Sequence, residues 1–325
     1  IERLLGLSPE IAEDEVGLHA LERGQLIHAV LCDFLRAWRA ETGRSRADVA
    51  PGEVPRAWVL MQRIASEHLD RRPQGALLWE IERELLLGTG ERPGLLRRFV
   101  EQEAARETQL APMHLEWRFG WPADRPPPEG TEGHAPPLTL ETPAGAIALR
   151  GIVDRIECDE DGGLWAVVDY KTGSAEVTPR LVEDGLHLQL PVYALAVERL
   201  LAATDGRVVA AQLLQLRRLD EFGLKRLFAQ RGCEALGPLG KRQTRPREEI
   251  EEMLRRAIEH AAAVRARAVA GDFAWTVRPV TQVCERCAWR RTCRRDGAKA
   301  AWHIGQSPHP PAPSLAEGGR GDELE

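Results

Sequence analysis

The sequence predicts a chain of the α/β kind, and three observations carry this. Residues 147–173 read IALRGIVDRIECDEDGGLWAVVDYKTG, in which two alternating apolar runs flank the acidic break Asp159-Glu160-Asp161-Gly162-Gly163. That is the pattern of a β-hairpin. Residues 23–38 carry apolar side chains at 27, 30, 31, 34, 35 and 38, the stripe of a helix packed on a core. Residues 208–216 (VVAAQLLQL) form another strand run, and residues 247–270 read as a long helix of mixed charge.

The elements between these follow in order. Residues 1–22 read as a short helical start and an acidic connection. Residues 56–70, 76–87 and 94–109 read as three further helices, with Trp79, Ile81, Leu85 and Leu86 as packing residues. Residues 113–121 read as a strand with Glu116 among apolar neighbours. Residues 122–137, rich in Pro, Gly and charge, read as a surface loop. A helix is expected over about residues 186–201, and Pro191 is compatible only if that helix starts near it. From Ser307 the chain loses apolar periodicity and reads as disordered.

At 325 residues, with 43% apolar and 29% charged residues, the composition is that of a globular protein able to bury a sizeable core. No apolar run approaches the ~20 residues of a membrane span. No secretory signal pattern is visible, so the expected setting is cytoplasmic, without a membrane. The chain begins at Ile1 within what reads as a helix under way, and it is read as a piece of a longer protein. The net charge of −6 is unevenly spread: residues 207–300 hold 21 Lys/Arg against 11 Asp/Glu, a local +10, leaving −16 for the rest. Such a split is compatible with polyanion contact on one side or with a solvated arginine-rich surface.

The chemistry is concentrated in the hairpin. Side chains alternate along a strand, so Ile152, Asp154 and Ile156 are expected on one face, as are Trp165, Val167, Asp169 and Lys171. Charges inside buried strands need partners or a metal. Two carboxylates and a lysine at adjacent strand ends suit a hard divalent cation with an ammonium beside it. His28, taken alone, is more often a packed helix histidine than a ligand, and Glu116 alone is a salt-bridged strand residue. Gln189 and Tyr193, four apart, share a helix face. The run Gly237-Pro238-Leu239-Gly240-Lys241-Arg242 lacks the spacing of a phosphate loop, so no nucleotide cofactor is expected.

The run Gly151-Ile152-Val153-Asp154-Arg155-Ile156, followed by Asp169-Tyr170-Lys171-Thr172-Gly173, closely resembles the RecB/AddB-type branch of the PD-(D/E)XK nucleases. The resemblance covers residues 1–295. It implies an α/β fold: a mixed central sheet flanked by helices, a helical N-terminal portion and a C-terminal cysteine staple. Its implied limits are a nuclease domain over 1–300, with a helical part to about 110, a core over about 111–232 and a C-terminal part over about 245–296, followed by the tail 307–325.

The resemblance also implies roles. Asp154, Asp169 and Lys171 would be catalytic. Mg²⁺ or Mn²⁺ would be held by Asp154, Asp169, His28 of a G-x-x-x-H helix that includes Gly24, and the main-chain carbonyl of Tyr170. Glu116 would have a supporting part. Gln189 and Tyr193 match a Q-x-x-x-Y motif that abuts the site and contacts DNA, and Arg217 and Arg218 could track the backbone. The implied activity is metal-dependent DNA hydrolysis of exonuclease type, in end resection beside a helicase or helicase-like subunit.

Cys284, Cys287 and Cys293 sit in a compact basic segment. In a cytosolic protein such spacing favours metal over disulfides. Three thiolates suit zinc with one more ligand, or an iron–sulfur cluster with a fourth cysteine. The resemblance implies a [4Fe–4S] cluster whose fourth cysteine lies upstream of residue 1, with Cys32 as the internal fallback. Cys32, Cys158 and Cys233 otherwise read as ordinary small buried residues. Two rival readings stand beside the nuclease: a catalytically silent DNA-binding scaffold of the same fold, and a zinc-binding interaction module.

Overall fold

The computed structural model describes residues 20–71, 77–90, 92–120, 133–143, 145–202, 206–217, 219 and 222–272. Four helices come first: α1 (Ala20–Thr42), α2 (Val54–Asp70), α3 (Leu77–Leu87) and α4 (Leu95–Ala104). The strands β1 (Ala111–Phe119), β2 (His134–Ala135), β3 (Leu138–Leu140), β4 (Ile147–Leu149), β5 (Gly151–Cys158) and β6 (Leu164–Lys171) follow. Then come α5 (Pro179–Glu183), α6 (Gln189–Leu200), β7 (Arg207–Gln215), β8 (Gly223–Ala229) and α7 (Arg247–Val269).

Six strands form one sheet in the order β2-β1-β5-β6-β7-β8, and β3 pairs with β4 separately. The sheet is mixed: β1·β2 and β6·β7 are parallel, while β1·β5, β5·β6 and β7·β8 are antiparallel. Helices cover both faces. The stripe of α1 (Leu26, Ile27, Val30, Leu31, Phe34, Leu35, Trp38) packs with α2 and α4 over Leu115, Val168, Tyr170 and Leu214 of the sheet. On the other face α6 and α7 pack over Trp117, Val153, Ile156, Val167 and Leu213. Val167 and Val168 therefore face opposite cores, so β6 reads as a continuous apolar run. Each fully buried aliphatic side chain in these cores stabilises the fold by roughly 1.5–3 kcal/mol.

Helix α1 ends at Thr42, whose hydroxyl donates to the Trp38 carbonyl (2.8 Å), and Gly43 follows at φ 68°. That left-handed position closes a helix at little cost only with glycine. The Trp38 indole N–H donates to the Asp48 carbonyl (2.8 Å) and ties the following loop to the helix. Beneath the sheet lies a buried ionic group. Arg155 makes two parallel bonds to Glu103 (2.9 and 2.7 Å) and also pairs with Glu157. Arg106 bonds Glu157 (2.6 Å) and Glu103 (3.1 Å), so two guanidinium groups match two carboxylates.

Several expectations need correction. Residues 147–149 do not extend the hairpin but form β4, paired with β3. The helix expected over 94–109 ends at Ala104, because the N–H of Gln109 and the hydroxyl of Thr108 both turn to the Ala235 carbonyl (2.8 and 2.7 Å). Trp79 and Leu86, two turns apart, are buried, but Ile81 and Leu85 share the outer face of α3 and are 44% and 53% exposed. Strict alternation also fails in β5, where Val153 and Ile156 lie in the same core, so Ile152, Asp154 and Ile156 do not share a face. Residues 1–19, the tail from Ser307, Arg218 and the three clustered cysteines lie outside the described residues. Cys32 and Cys158 are buried and Cys233 is half-buried.

Candidate metal and phosphodiester site

Two local irregularities build the site. Glu116 has φ 50°, the sole positive-φ non-glycine among the described residues. An L-residue there pays about 1–2 kcal/mol for the approach of its Cβ to the carbonyl. The kink breaks the alternation of β1, since Leu115 packs under α1 while Trp117, two residues on, packs under α6. Two arginines of α1 cap this irregular stretch: Arg39 donates to the Met113 carbonyl (2.6 Å) and Arg36 to the Leu115 carbonyl (3.4 Å). The second irregularity is a fork. The β5·β6 ladder ends at the Arg155↔Val168 pair, while β6 continues along β7 to Lys171↔Gln215. At the fork the Asp154 carboxylate accepts the Tyr170 N–H (2.7 Å) in place of a backbone carbonyl.

The fork and the kink bring His28, Glu116 and Asp154 together. One ligand atom of each lies within 4.8 Å of the others. His28 Nε2 is 3.1 Å from the Tyr170 carbonyl oxygen, which can only accept, so Nε2 carries the proton. Nδ1 then faces Asp154 Oδ1 at 3.6 Å. Burial pulls the His28 pKa down, but the adjacent Asp154 carboxylate, with Glu116 and Asp169 nearby, outweighs this and raises it. Glu116 is pushed up by burial and by the charge of Asp154. Among the described residues the Glu116 carboxylate makes no hydrogen bond or close ion pair, and Arg118 and Arg36 act on it only from a distance.

Asp169 projects to the α6 side of the fork. Its Oδ1 accepts from Gln189 Nε2 (2.7 Å) and its Oδ2 meets Lys171 Nζ (2.5 Å). Gln189 Oε1 accepts from the same ammonium (3.0 Å), and its Nε2 also donates to the Tyr193 hydroxyl (3.0 Å). One amide thus holds the Asp169–Lys171 pair and Tyr193 in a fixed arrangement. Burial and the charge of Asp154 push Asp169 up to about 6, and burial pushes Tyr193 to about 12. Tyr193 stands edge-on to Phe119 at 6.3 Å. Gly151 makes this possible, since a Cβ there would lie 2.9 Å from Phe119 and 3.0 Å from Tyr193.

Three carboxylates and an imidazole gathered at one strand end, with two of the carboxylates driven up in pKa, form a surplus of negative charge. Oxygen donors with one imidazole nitrogen fit a divalent cation. His28 and Glu116 open into a cleft of about 720 Å³ that runs along α1 and is also lined by Gly24, Arg36, Arg118, Lys171 and Thr172. Gly24 lets α1 lie close to Thr172: a Cβ there would come within 3.1 Å of Thr172 Oγ1, tight enough that the hydroxyl would have to shift. Arg217 is tied to α1 through its carbonyl, which accepts from Arg23 (3.4 Å). The sequence reading did not single out Arg36, Arg118 or Thr172. Arg118 could have been found as the neighbour two along from Glu116, on a strand already tied to the site.

The family model of the PD-(D/E)XK nuclease superfamily matches residues 1–294. Among curated relatives, an ATP-dependent helicase/deoxyribonuclease subunit of Alkaliphilus oremlandii is 30% identical over 152 residues, 43% of this chain and 12% of that protein. The protein of the same name from Pelotomaculum thermopropionicum is 30% identical over 168 residues, 48% of this chain and 13% of that protein. The one from Symbiobacterium thermophilum is 32% identical over 190 residues, 56% of this chain and 15% of that protein. The chain thus spans 12–15% of the length of these relatives.

Proposed function

The chain belongs to the PD-(D/E)XK nuclease superfamily, and we propose that it hydrolyses DNA phosphodiester bonds with a divalent cation, Mg²⁺ or Mn²⁺, as an exonuclease. The observation that carries this is the joint arrangement of His28, Glu116 and Asp154 beside the Asp169–Lys171–Gln189 group. Asp154, Asp169, His28 and the Tyr170 carbonyl would hold the ion, with Glu116 beside them. When bound, such an ion lowers the pKa of its water and offsets charge growing on the phosphate.

The chain's own groups would supply the rest. His28, with Nε2–H held on the Tyr170 carbonyl, keeps Nδ1 as a lone-pair donor once its proton is released. Asp154 holds the fork open through its bond to the Tyr170 N–H. Lys171 has three N–H bonds. Asp169 and Gln189 occupy two, and the third would face the phosphate or its attacking water. Tyr193, whose oxygen accepts from Gln189, keeps its own O–H to place the strand.

The relatives are named as helicase/deoxyribonuclease subunits. That supports a place beside a helicase or helicase-like subunit, and we propose a role in DNA end resection and break repair. We propose the domain limits given above, and a [4Fe–4S] cluster on Cys284, Cys287 and Cys293, whose soft thiolates suit iron–sulfur chemistry. Iron content and visible absorption would test it, and a colourless, zinc-loaded protein would overturn it. No helix among the described residues is long and apolar enough to cross a membrane.

The test of the main reading is cleavage of end-labelled single- and double-stranded DNA with Mg²⁺ or Mn²⁺. Wild type should cleave, and Asp169→Asn and Lys171→Gln should not. Cleavage that survives both substitutions would sink the reading.

A further inference from the structure

The cleft has a direction set by the sheet. Helix α1 starts against the end of β6, where Gly24 lies over Thr172, and reaches β1, where Arg36 and Arg39 cap the carbonyls of Leu115 and Met113. Strand β5, with Asp154, lies between β6 and β1. Arg118 pairs with Ile152, two residues before Asp154, so it stands at the same end of the sheet as Lys171 and Thr172. Two strand spacings separate β6 from β1, about 10 Å. A phosphate over Asp154 is then flanked on one side by Thr172 and on the other by Arg118.

Both flanking groups suit a phosphate. Thr172 is half-buried in the cleft wall, and among the described residues its hydroxyl has no hydrogen-bond partner. Arg118 lines the same cleft two residues after Glu116, and its guanidinium brings positive charge of the kind that pairs with phosphate oxygens. Arg36 lends charge nearby, but its Nη2 is engaged by the Leu115 carbonyl. A polyanion entering past Glu116 and Asp33, with Asp154 behind them, needs such positive and neutral donors against like-charge repulsion.

We propose that a single DNA strand lies along α1, across the strand ends from β6 to β1, with Thr172 and Arg118 holding the phosphates on either side of the scissile one. This rests on the nuclease reading for the position of the scissile phosphate. Thr172 supplies a neutral hydrogen bond and Arg118 a charge, so their losses have different signatures.

The test is the affinity of the 325-residue chain for a labelled oligothymidylate in Ca²⁺, which takes the same oxygen donors, measured across a salt series. Thr172→Val keeps the branched shape against Gly24. It should weaken binding roughly three- to ten-fold, the worth of one hydrogen bond, with the salt slope unchanged. Arg118→Gln should make the slope shallower by about 0.7, the value for one phosphate contact on a single strand, and Arg118→Lys should keep it. Melting temperatures equal to wild type show that binding rather than folding is being read. Should Arg118→Gln not fold, Thr172→Val and Arg118→Lys carry the test. Wild-type affinity and slope in either Thr172→Val or Arg118→Gln overturns the track, and leaves the nuclease reading standing if the wild type cleaves. The predicted losses in a protein that binds but does not cleave would keep Thr172 and Arg118 as phosphate contacts, but would overturn the track as stated along with the nuclease reading, since no phosphate between them would be scissile. A wild type that neither binds nor cleaves overturns both.

Discussion

Glu116 offers a perturbation in which stability and function move in opposite directions. Its backbone sits at φ 50° within β1. In an ordinary strand, alanine is more stable than glycine by roughly 0.5–1 kcal/mol, because glycine loses more backbone freedom on folding. At this φ the order reverses, since any Cβ costs about 1–2 kcal/mol in the left-handed region and glycine avoids that cost. The two effects leave Glu116→Gly more stable than Glu116→Ala by about 0.5–1 kcal/mol. For a chain of this size that is a difference in melting temperature of about 1–2 °C. Both variants also remove a carboxylate that burial and Asp154 hold at raised pKa, so neither should be much less stable than wild type. Both should lose cation affinity and cleavage. Urea unfolding of the two variants and Mn²⁺-dependent cleavage measure the two arms. A Glu116→Ala protein more stable than Glu116→Gly would refute the strain argument. Full cleavage in either variant would refute a part for Glu116 in the site.

Three other outcomes follow from the packing. Arg155→Met leaves the buried Glu103 and Glu157 to share Arg106, and should cost about 3–5 kcal/mol in urea unfolding. Glu103 itself is fully desolvated, yet Arg155 and Arg106 overcome that and lower its pKa from 4.5 to about 2. Its folded pKa lies below the unfolded one, so its contribution of about 3 kcal/mol is present above about pH 4.5 and is lost as pH falls towards 2. Denaturation monitored through that range should show the loss, and Glu103→Gln should flatten it. Gly151→Ala places a Cβ 2.9 Å from Phe119 and 3.0 Å from Tyr193. It should cost about 1–3 kcal/mol and displace Tyr193 from Gln189, seen as reduced cleavage at unchanged cation affinity.

The parts of the fold that follow a single period could be read from the sequence. The α1 stripe and the β5–β6 hairpin have regular apolar spacing, and both were located within a few residues. The charged side chains of the site stood out for the same reason, since Asp154, Asp169 and Lys171 interrupt apolar runs. What breaks the period was not legible. The left-handed turn at Glu116 is a backbone choice made by a residue type that rarely adopts it, and it reassigns the faces of β1. Strand β8 carries Lys225 and Arg226 in the manner of an edge strand, which weakens its apolar signal. The bridging part of Gln189 depends on where the ends of β6 and α6 meet, and spacing alone could give only its shared face with Tyr193.

The most direct measurement is anomalous diffraction from crystals soaked in Mn²⁺. One strong peak is expected within coordination distance of Asp154, His28 and the neighbouring carboxylates, absent from Asp154→Asn crystals. No peak at the fork, or an identical peak in the Asp154→Asn protein, would contradict the claim that this strand end is a cation site.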